Sequence, residues 1–199
     1  MFHVNSKVHC SNFLTLWESP CGRPFSTGWP WRHVIQTTLN YLQHRDLAGA
    51  YIRRLGNVPI PSSLLFRWSS VIPRNIHGHR PEAKLKSLYK GLNIYVAFLQ
   101  RLEDKENMWI DSLTIFKEES VVGHIHELQN DLLIIGCLLE TSIGMKPPRT
   151  EDMHIFDDLI IDNDVTSGSI EGYFIMTEFT RFLQEALLSF SNQQINKPG

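Results

Sequence analysis

The sequence has no apolar run long enough to cross a bilayer. A membrane-spanning helix needs about 20 apolar residues, and the best candidate, "LLIIGCLLE", is shorter and follows the polar stretch "HELQND". The first residues, "MFHVNSKVHCSNFLTLWESPCG", also lack the basic start and apolar run of a secretory signal. We therefore expect no membrane insertion, and these residues do not support export by the ordinary signal.

Cysteine is scarce, since the chain contains three. An odd number excludes a fully paired disulfide framework and does not fit a zinc ribbon. Cys10 and Cys21 can pair if the protein is exported, and free thiols are the alternative. No Asn-x-Ser/Thr glycosylation site occurs, so glycosylation gives no information on location.

Signatures of catalysis and of nucleic-acid binding are also missing. The formal net charge is -2, which is not the basic footprint of a nucleic-acid-binding protein. No nucleophile elbow, glycine-rich phosphate loop or HExxH motif is present. The run "DDLIIDND" lacks the glycine and terminal glutamate of an EF-hand loop. We expect neither catalysis nor a cofactor.

Histidine is the one metal-binding residue type in good supply, with nine residues. The pairs His77/His79 and His124/His126 are spaced i, i+2, which directs the two rings to opposite sides of a helix. No cysteine or carboxylate at zinc-site spacing completes either pair. We therefore interpret these histidines as solvated and expect no metal site.

Four segments repeat apolar residues at three- and four-residue steps, which predicts amphipathic helices. In "LKSLYKGLNIYVAFLQRLEDKE" this spacing places the leucines on one stripe and the lysines on the other side. Residues 1–30, rich in proline and glycine, predict an irregular N-terminal segment, and residues 31–199 a single bundle domain. The predicted helices span residues 31–55, 85–106, 112–140 and 170–190.

The lengths of the connections predict the topology. A short link makes neighbouring helices antiparallel, whereas a long one allows the next helix to run in the same direction. Here a long connection (57–81), a short charged break ("EDKEN") and a second long connection follow one another. This order predicts an all-α, long-chain four-helix bundle of the up-up-down-down type with two long crossover loops.

The first predicted helix contains a change of phase. Its stripe Ile35, Leu39 and Leu42 does not continue into Leu47, Tyr51 and Leu55, and two extra residues between Gln43 and Asp46 would restore it. We therefore expect a kink or local unwinding at this point.

The helices together resemble one cytokine family. "NYLQHRDLAGAYIRRLG", "LYKGLNIYVAFLQRLEDKE", "LLETSIGMKPP" and "GYFIMTEFTRFLQEALLSF" are similar to the four helices of interleukin-6-type cytokines, in the branch of ciliary neurotrophic factor and cardiotrophin-like cytokine. The resemblance covers roughly residues 33 to 190. It implies an extracellular, monomeric ligand that joins class I receptor subunits and activates JAK-STAT signalling. The implied partners are glycoprotein 130, the leukaemia inhibitory factor receptor and the ciliary neurotrophic factor receptor.

The resemblance implies two receptor-binding surfaces. The first lies on the outward faces of the first and third helices, for which the candidates are Arg53, Arg54, His126, Asn130 and Leu133. The second lies at the start of the fourth helix. Relatives that bind the leukaemia inhibitory factor receptor usually carry Phe-x-x-Lys there, whereas this chain has Thr166 and Ser169 at the aligned positions. Its other candidates are Phe174, as a substitute aromatic contact unless the second long connection covers it, and Arg181.

Two other classes of function are open at this stage. The missing signal and the cysteines that can remain reduced favour an intracellular helical adaptor or interaction protein. The histidines alone favour an enzyme on a helical scaffold.

Overall fold

A computed structural model of the chain describes residues 30–60, 71–115, 121–143 and 164–191. These residues form helices joined by irregular segments and contain no β-strand. None of the described helices is both long and apolar enough to cross a membrane. The predicted irregular segment 1–30 lies outside the described residues except for Pro30, which begins the first helix. The helices are α1 Pro30–Arg45, α2 Leu47–Leu55, α3 Pro81–Ile115, α4 Val122–Ile143 and α5 Val165–Ser189.

The predicted apolar stripes form one core. On α3 the stripe residues Leu85, Leu88, Leu92, Tyr95 and Leu99 are all buried. They join buried residues from the other four helices in a single hydrophobic cluster. Burial of this surface is the main favourable contribution to the stability of a helical bundle. The all-helical bundle predicted from spacing is thus confirmed.

Contacts along α3 and α5 give the relative direction of these two helices. Near the start of α3, Lys84 Nζ donates to the Ser189 carbonyl at the end of α5, at 3.1 Å. Near the end of α3, Trp109 packs where a Cβ on Gly168 would lie, at the start of α5. The two helices are therefore antiparallel.

The same reasoning applies to α1 and α4. Thr38 Oγ1 donates to Asp131 Oδ2 at 2.8 Å. One turn further along α1, Tyr41 Oη and His124 Nδ1 are 2.6 Å apart. Along α1 the residue number rises from 38 to 41, while the contacted residue of α4 falls from 131 to 124. These helices are therefore antiparallel as well.

Two further pairs are also antiparallel. Glu103 near the end of α3 lies 3.6 Å from His126 near the start of α4. Tyr89, earlier on α3, faces Gly136, later on α4. At the other side of the bundle, Trp31 at the start of α1 meets Phe190 just beyond α5, with ring centroids 5.0 Å apart.

The predicted irregularity in the first helix is confirmed, and it lies at Asp46. This residue has φ 47° and ψ 48°, a left-handed conformation that aspartate tolerates better than most residues. Its carboxylate accepts the Gly49 N–H at 3.2 Å and so caps α2. A Cβ at Gly49 would lie 2.0 Å from Asp46 Oδ2, so the cap requires glycine there. The break shifts the phase between α1 and α2, and both stripes reach the core.

Two predicted boundaries are wrong. The segment "EDKEN" was expected to separate two helices, but α3 continues through it to Ile115 and α4 begins at Val122. Lys105 and Glu106 are buried and paired inside the bundle, so this charged segment is not a solvated break. The last helix begins at Val165, five residues before the prediction, because Asp164 caps it by accepting the Ser167 N–H.

Candidate functional site

Three of the predicted first-surface residues lie on the outer side of α4. His126, Asn130 and Leu133 are exposed, and Leu133 retains 42% of its accessible surface. Their spacing of three and four residues places them on one stripe opposite buried Leu128. The sequence therefore located this outer face correctly.

Beside this stripe, a polar seam joins α1 to α4. Burial, together with a hydrogen bond to Glu127, raises the pKa of Tyr41 to about 12. Asp131, which accepts the Thr38 hydroxyl, has its pKa raised mainly by burial. Negative charge is therefore costly at this seam, and its hydroxyl groups remain protonated at physiological pH.

The two arginines of the predicted first surface occupy different environments. Arg53 is exposed and binds Asp46 Oδ2 at 2.9 Å. Arg54 was also predicted to face outward, which is wrong: its side chain is 3% exposed, pairs with Glu106 and lies over the Tyr51 ring. Consecutive helical residues are separated by about 100°, so Arg54 points toward α3 when Arg53 points to solvent.

The structure separates Arg53 from the α4 stripe. Its helix, α2, packs principally against α5, whereas α1 packs against α4. The predicted first surface is thus divided between two helix pairs, with His126, Asn130 and Leu133 on one of them.

A group of buried charges, which the sequence reading missed, lies between α2, α3 and α5. Lys105 is 4% exposed and pairs with Glu171, which is 1% exposed, and Arg101 Nε lies 3.0 Å from the other Glu171 oxygen. Together with Arg54 and Glu106 these residues form a buried ionic network. A signal was present, because Lys105 and Glu106 continue the three-four spacing of the buried leucines before them.

Of the four candidate residues of the second surface, all on α5, two are exposed and two are buried. Thr166 and Arg181 are exposed. Ser169 is fully buried, so this aligned position is not available to a receptor. Phe174 is 7% exposed, so it is covered, which was the alternative to an exposed aromatic contact. The Arg74 guanidinium lies over the Phe174 ring at 5.9 Å. Arg74 belongs to the connection before α3, so this connection helps to cover Phe174. The sequence had suggested cover by the second long connection alone. Because α5 contacts α1, α2 and α3, its buried face is wider than one stripe.

Cys137 on α4 is disulfide-bonded, and its partner lies outside the described residues. The chain has two other cysteines, Cys10 and Cys21. Whether Cys10 pairs with Cys21, which the sequence left open against free thiols, lies outside the described residues.

Across the described ranges, no three His, Cys, Asp or Glu side chains lie close enough together to hold a metal ion. His77 and His79 are exposed on the irregular segment before α3.

Comparison of the chain with models of known protein families, with curated proteins and with solved structures finds no match.

Proposed function

We propose that this protein is an extracellular helical cytokine of the interleukin-6 type, which brings class I receptor subunits together and activates JAK-STAT signalling. The helix directions are the observation that carries this proposal. α4 is antiparallel to α1 and α3, and α5 is antiparallel to α3 and meets α1 end to start. These directions support an up-up-down-down bundle, which is the arrangement of the cytokine and growth-hormone folds.

The spacing between the helices supports the same topology. α2 ends at Leu55 and α3 begins at Pro81, and α4 ends at Ile143 while α5 begins at Val165. By contrast, only a short segment separates Ile115 from Val122. Two long crossovers around a short hairpin distinguish cytokine bundles from bundles with short loops throughout.

The disulfide at Cys137 supports an extracellular location. Disulfides persist in secreted proteins and are rare in the reducing cytosol. This bond favours the cytokine over an intracellular adaptor, whose case depended partly on reduced cysteines.

In this proposal the α4 stripe of His126, Asn130 and Leu133 contacts the first receptor subunit. Leu133 supplies apolar area, and the two polar residues beside it supply hydrogen bonds, as in a typical interface. Glycoprotein 130 and the ciliary neurotrophic factor receptor are the candidate subunits. Because Arg54 is buried, it is not part of this surface.

A second subunit, for which the leukaemia inhibitory factor receptor is the candidate, contacts the end of the bundle where α5 begins. Thr166 is exposed there, and Met108 on α3 is 59% exposed next to Trp109, which packs on Gly168. An exposed apolar residue beside a helix start can anchor a partner, and Met108 takes this role in place of Phe174.

A cell assay with purified protein tests the proposal. Cells that express the family's receptor subunits are treated with the wild-type protein, and STAT phosphorylation is measured. We expect a response that Asn130→Lys and Met108→Lys each reduce about tenfold or more, without a change in Tm. Glu82→Lys is the matched control, because Glu82 is exposed at the start of α3, at the opposite end from Met108, and lies in neither surface.

Detection of the endogenous protein in conditioned medium separates the cytokine from an adaptor. If the folded wild-type protein elicits no STAT phosphorylation from any combination of these receptors, the cytokine proposal is wrong. If Glu82→Lys reduces the response as much as the other two variants, the assigned surfaces are wrong.

A further inference from the structure

A buried threonine connects α1 to α4 beside an aspartate that has no counter-charge. Thr38 is fully buried on α1, and its Oγ1 lies 2.8 Å from Asp131 Oδ2 on α4 and 2.9 Å from the Val34 carbonyl oxygen. Asp131 is half-buried and forms no ion pair with any residue that the structure describes. Within these residues, the Thr38 hydroxyl is the hydrogen-bond partner of its carboxyl group.

The Thr38 hydroxyl cannot donate to both neighbours at once. A hydroxyl has one proton to donate and two lone pairs that accept. An ionised Asp131 can only accept, so Thr38 then donates either to the carboxylate or to the Val34 carbonyl. A protonated Asp131 donates to Thr38 Oγ1, and Thr38 donates to Val34. Both short distances are therefore hydrogen bonds at the same time only when Asp131 carries a proton.

The surroundings of Asp131 oppose its ionisation. Burial raises the pKa of Asp131, and the negative charge of Glu127, one turn earlier on α4, raises it further, against the Thr38 hydrogen bond, which lowers it. Arg45 lies over the Tyr41 ring and the two histidines of α4 meet Tyr41 and Glu103, so these groups do not pair with Asp131. The other titratable groups that α1, α3 and α4 present near this part of the bundle are thus Tyr41, Arg45, Glu103, His124 and His126.

We propose that Asp131 is a proton-binding switch that tightens the junction of α1 and α4 in acid. Acidification transfers one proton from solvent to the Asp131 carboxylate. The carboxyl group then donates to Thr38 Oγ1, Thr38 donates to the Val34 carbonyl, and the repulsion from Glu127 disappears. When the proton is lost again, one of the two hydrogen bonds is lost with it and the junction is weaker.

The direction of the pH effect follows from the state in which the proton is bound more tightly. Because the pKa of Asp131 is higher in the folded state, its stabilising contribution is fully present below the unfolded value of about 3.9 and is lost as pH rises through the folded pKa. Asp131 follows Asn130 in the chain, so the junction supports the α4 stripe of His126, Asn130 and Leu133. The switch itself does not depend on what that stripe binds.

Carboxyl NMR measures the proton uptake directly. Protein labelled with ¹³C at its aspartates is titrated with acid, and the signal that is missing from Asp131→Asn is assigned to Asp131. We expect this carboxyl group to titrate above about 3.9, the value of an unperturbed aspartate. Titration at or below that value would overturn the switch.

Urea denaturation from neutral to acidic pH measures the effect on stability. Asparagine imitates the protonated carboxyl group, because its amide donates to Thr38 at every pH. Asp131→Asn should therefore be more stable than wild type at neutral pH, and the difference should shrink as the pH falls. Asp104→Asn is the matched control, because Asp104 is an exposed aspartate of α3 that also accepts one side-chain hydrogen bond, from Gln100. Its difference from wild type should change little, and the same result for Asp131→Asn would contradict the proposal.

A second set of variants separates the hydrogen-bond chain from the simple removal of a charge. Thr38→Val removes the hydroxyl with little change of shape, and Thr38→Ser retains it. The gain in urea midpoint from Asp131→Asn should fall by about half or more in the Thr38→Val background and persist in the Thr38→Ser background. An equal gain in both backgrounds would mean that charge removal alone explains the effect, and the proposed chain would then be wrong. A Tm measurement on each variant verifies that it is folded.

Discussion

Arg54 and Glu106 form an ion pair inside the bundle, where it joins α2 to α3 with side-chain exposures of 3% and 0%. The Tyr51 ring lies beside the arginine, at 5.2 Å from its guanidinium carbon. The nearby Glu106 carboxylate and burial together raise the pKa of Tyr51 well above its usual value, with burial the larger cause. α2 is a short helix between a left-handed aspartate and a glycine turn, so this pair and its neighbours determine where it lies.

The first prediction concerns this pair. Removing one partner leaves a buried, unpaired charge, so Glu106→Leu should lower the free energy of unfolding by about 3–5 kcal/mol. Combining it with Arg54→Met removes both charges and should restore most of that loss. Urea denaturation of the two single variants and the double variant measures the coupling. A double variant as unstable as the sum of the two single ones would contradict a buried pair.

The second prediction compares two leucines that differ in burial. Leu92 is 1% exposed in the core, and Leu133 is 42% exposed on α4. Leu92→Ala should cost about 2–5 kcal/mol of unfolding free energy, and Leu133→Ala less than about 1 kcal/mol. Denaturant unfolding of both variants gives the comparison. A loss below about 1 kcal/mol for Leu92→Ala would mean that the α3 stripe is not buried.

The third prediction uses two glycines with different surroundings. A Cβ at Gly172 would lie 2.3 Å from the buried Tyr51 ring, whereas one at Gly123 would meet nothing within 4 Å. Gly172→Ala should therefore destabilise by about 1–3 kcal/mol through overpacking. Gly123→Ala should stabilise by about 0.4–1 kcal/mol, because it restricts the unfolded chain. Thermal unfolding should show Tm shifts of opposite sign, and shifts of the same sign would refute the close contact of α2 with α5.

The fourth prediction concerns pH. Hydrogen bonds from the Ser167 side chain and backbone N–H lower the pKa of Asp164, which caps α5. Because the pKa is lower in the folded state, the stabilisation is present above the unfolded value of about 3.9 and is lost as pH falls through the folded pKa. Asp164→Ala should cost about 0.5–2 kcal/mol at pH 7, and the difference from wild type should narrow below about pH 4.

Urea denaturation at pH 7 and at pH 3 measures this difference. Asp164→Asn is the control, since asparagine caps helices well without a titrating group. A difference between wild type and Asp164→Ala that is the same at both pH values would mean that the carboxylate charge does not contribute to the cap.

Part of the candidate site followed from local spacing, and part did not. The outward positions of His126, Asn130, Leu133 and Arg53 were predicted, because the core side of each helix carries an unbroken apolar stripe and its opposite side must face water. Arg54 was wrongly predicted to face outward, Ser169 is buried although it aligns with a receptor contact of the relatives, and Phe174 is covered, which the sequence left open. Each lies on the flank of a stripe, where a second helix or the segment before α3 provides the cover.

The sequence by itself determined the helices of the bundle, their core stripes and the place where the first one breaks. These properties depend on residue spacing within a single segment, which the chain displays directly. The tertiary structure alone decided that Lys105 and Glu106 of "EDKEN" are buried and that Arg54 meets Glu106. Both depend on which distant segment packs alongside. The sequence alone does not distinguish a charged residue that is solvated from one that is buried against an opposite charge.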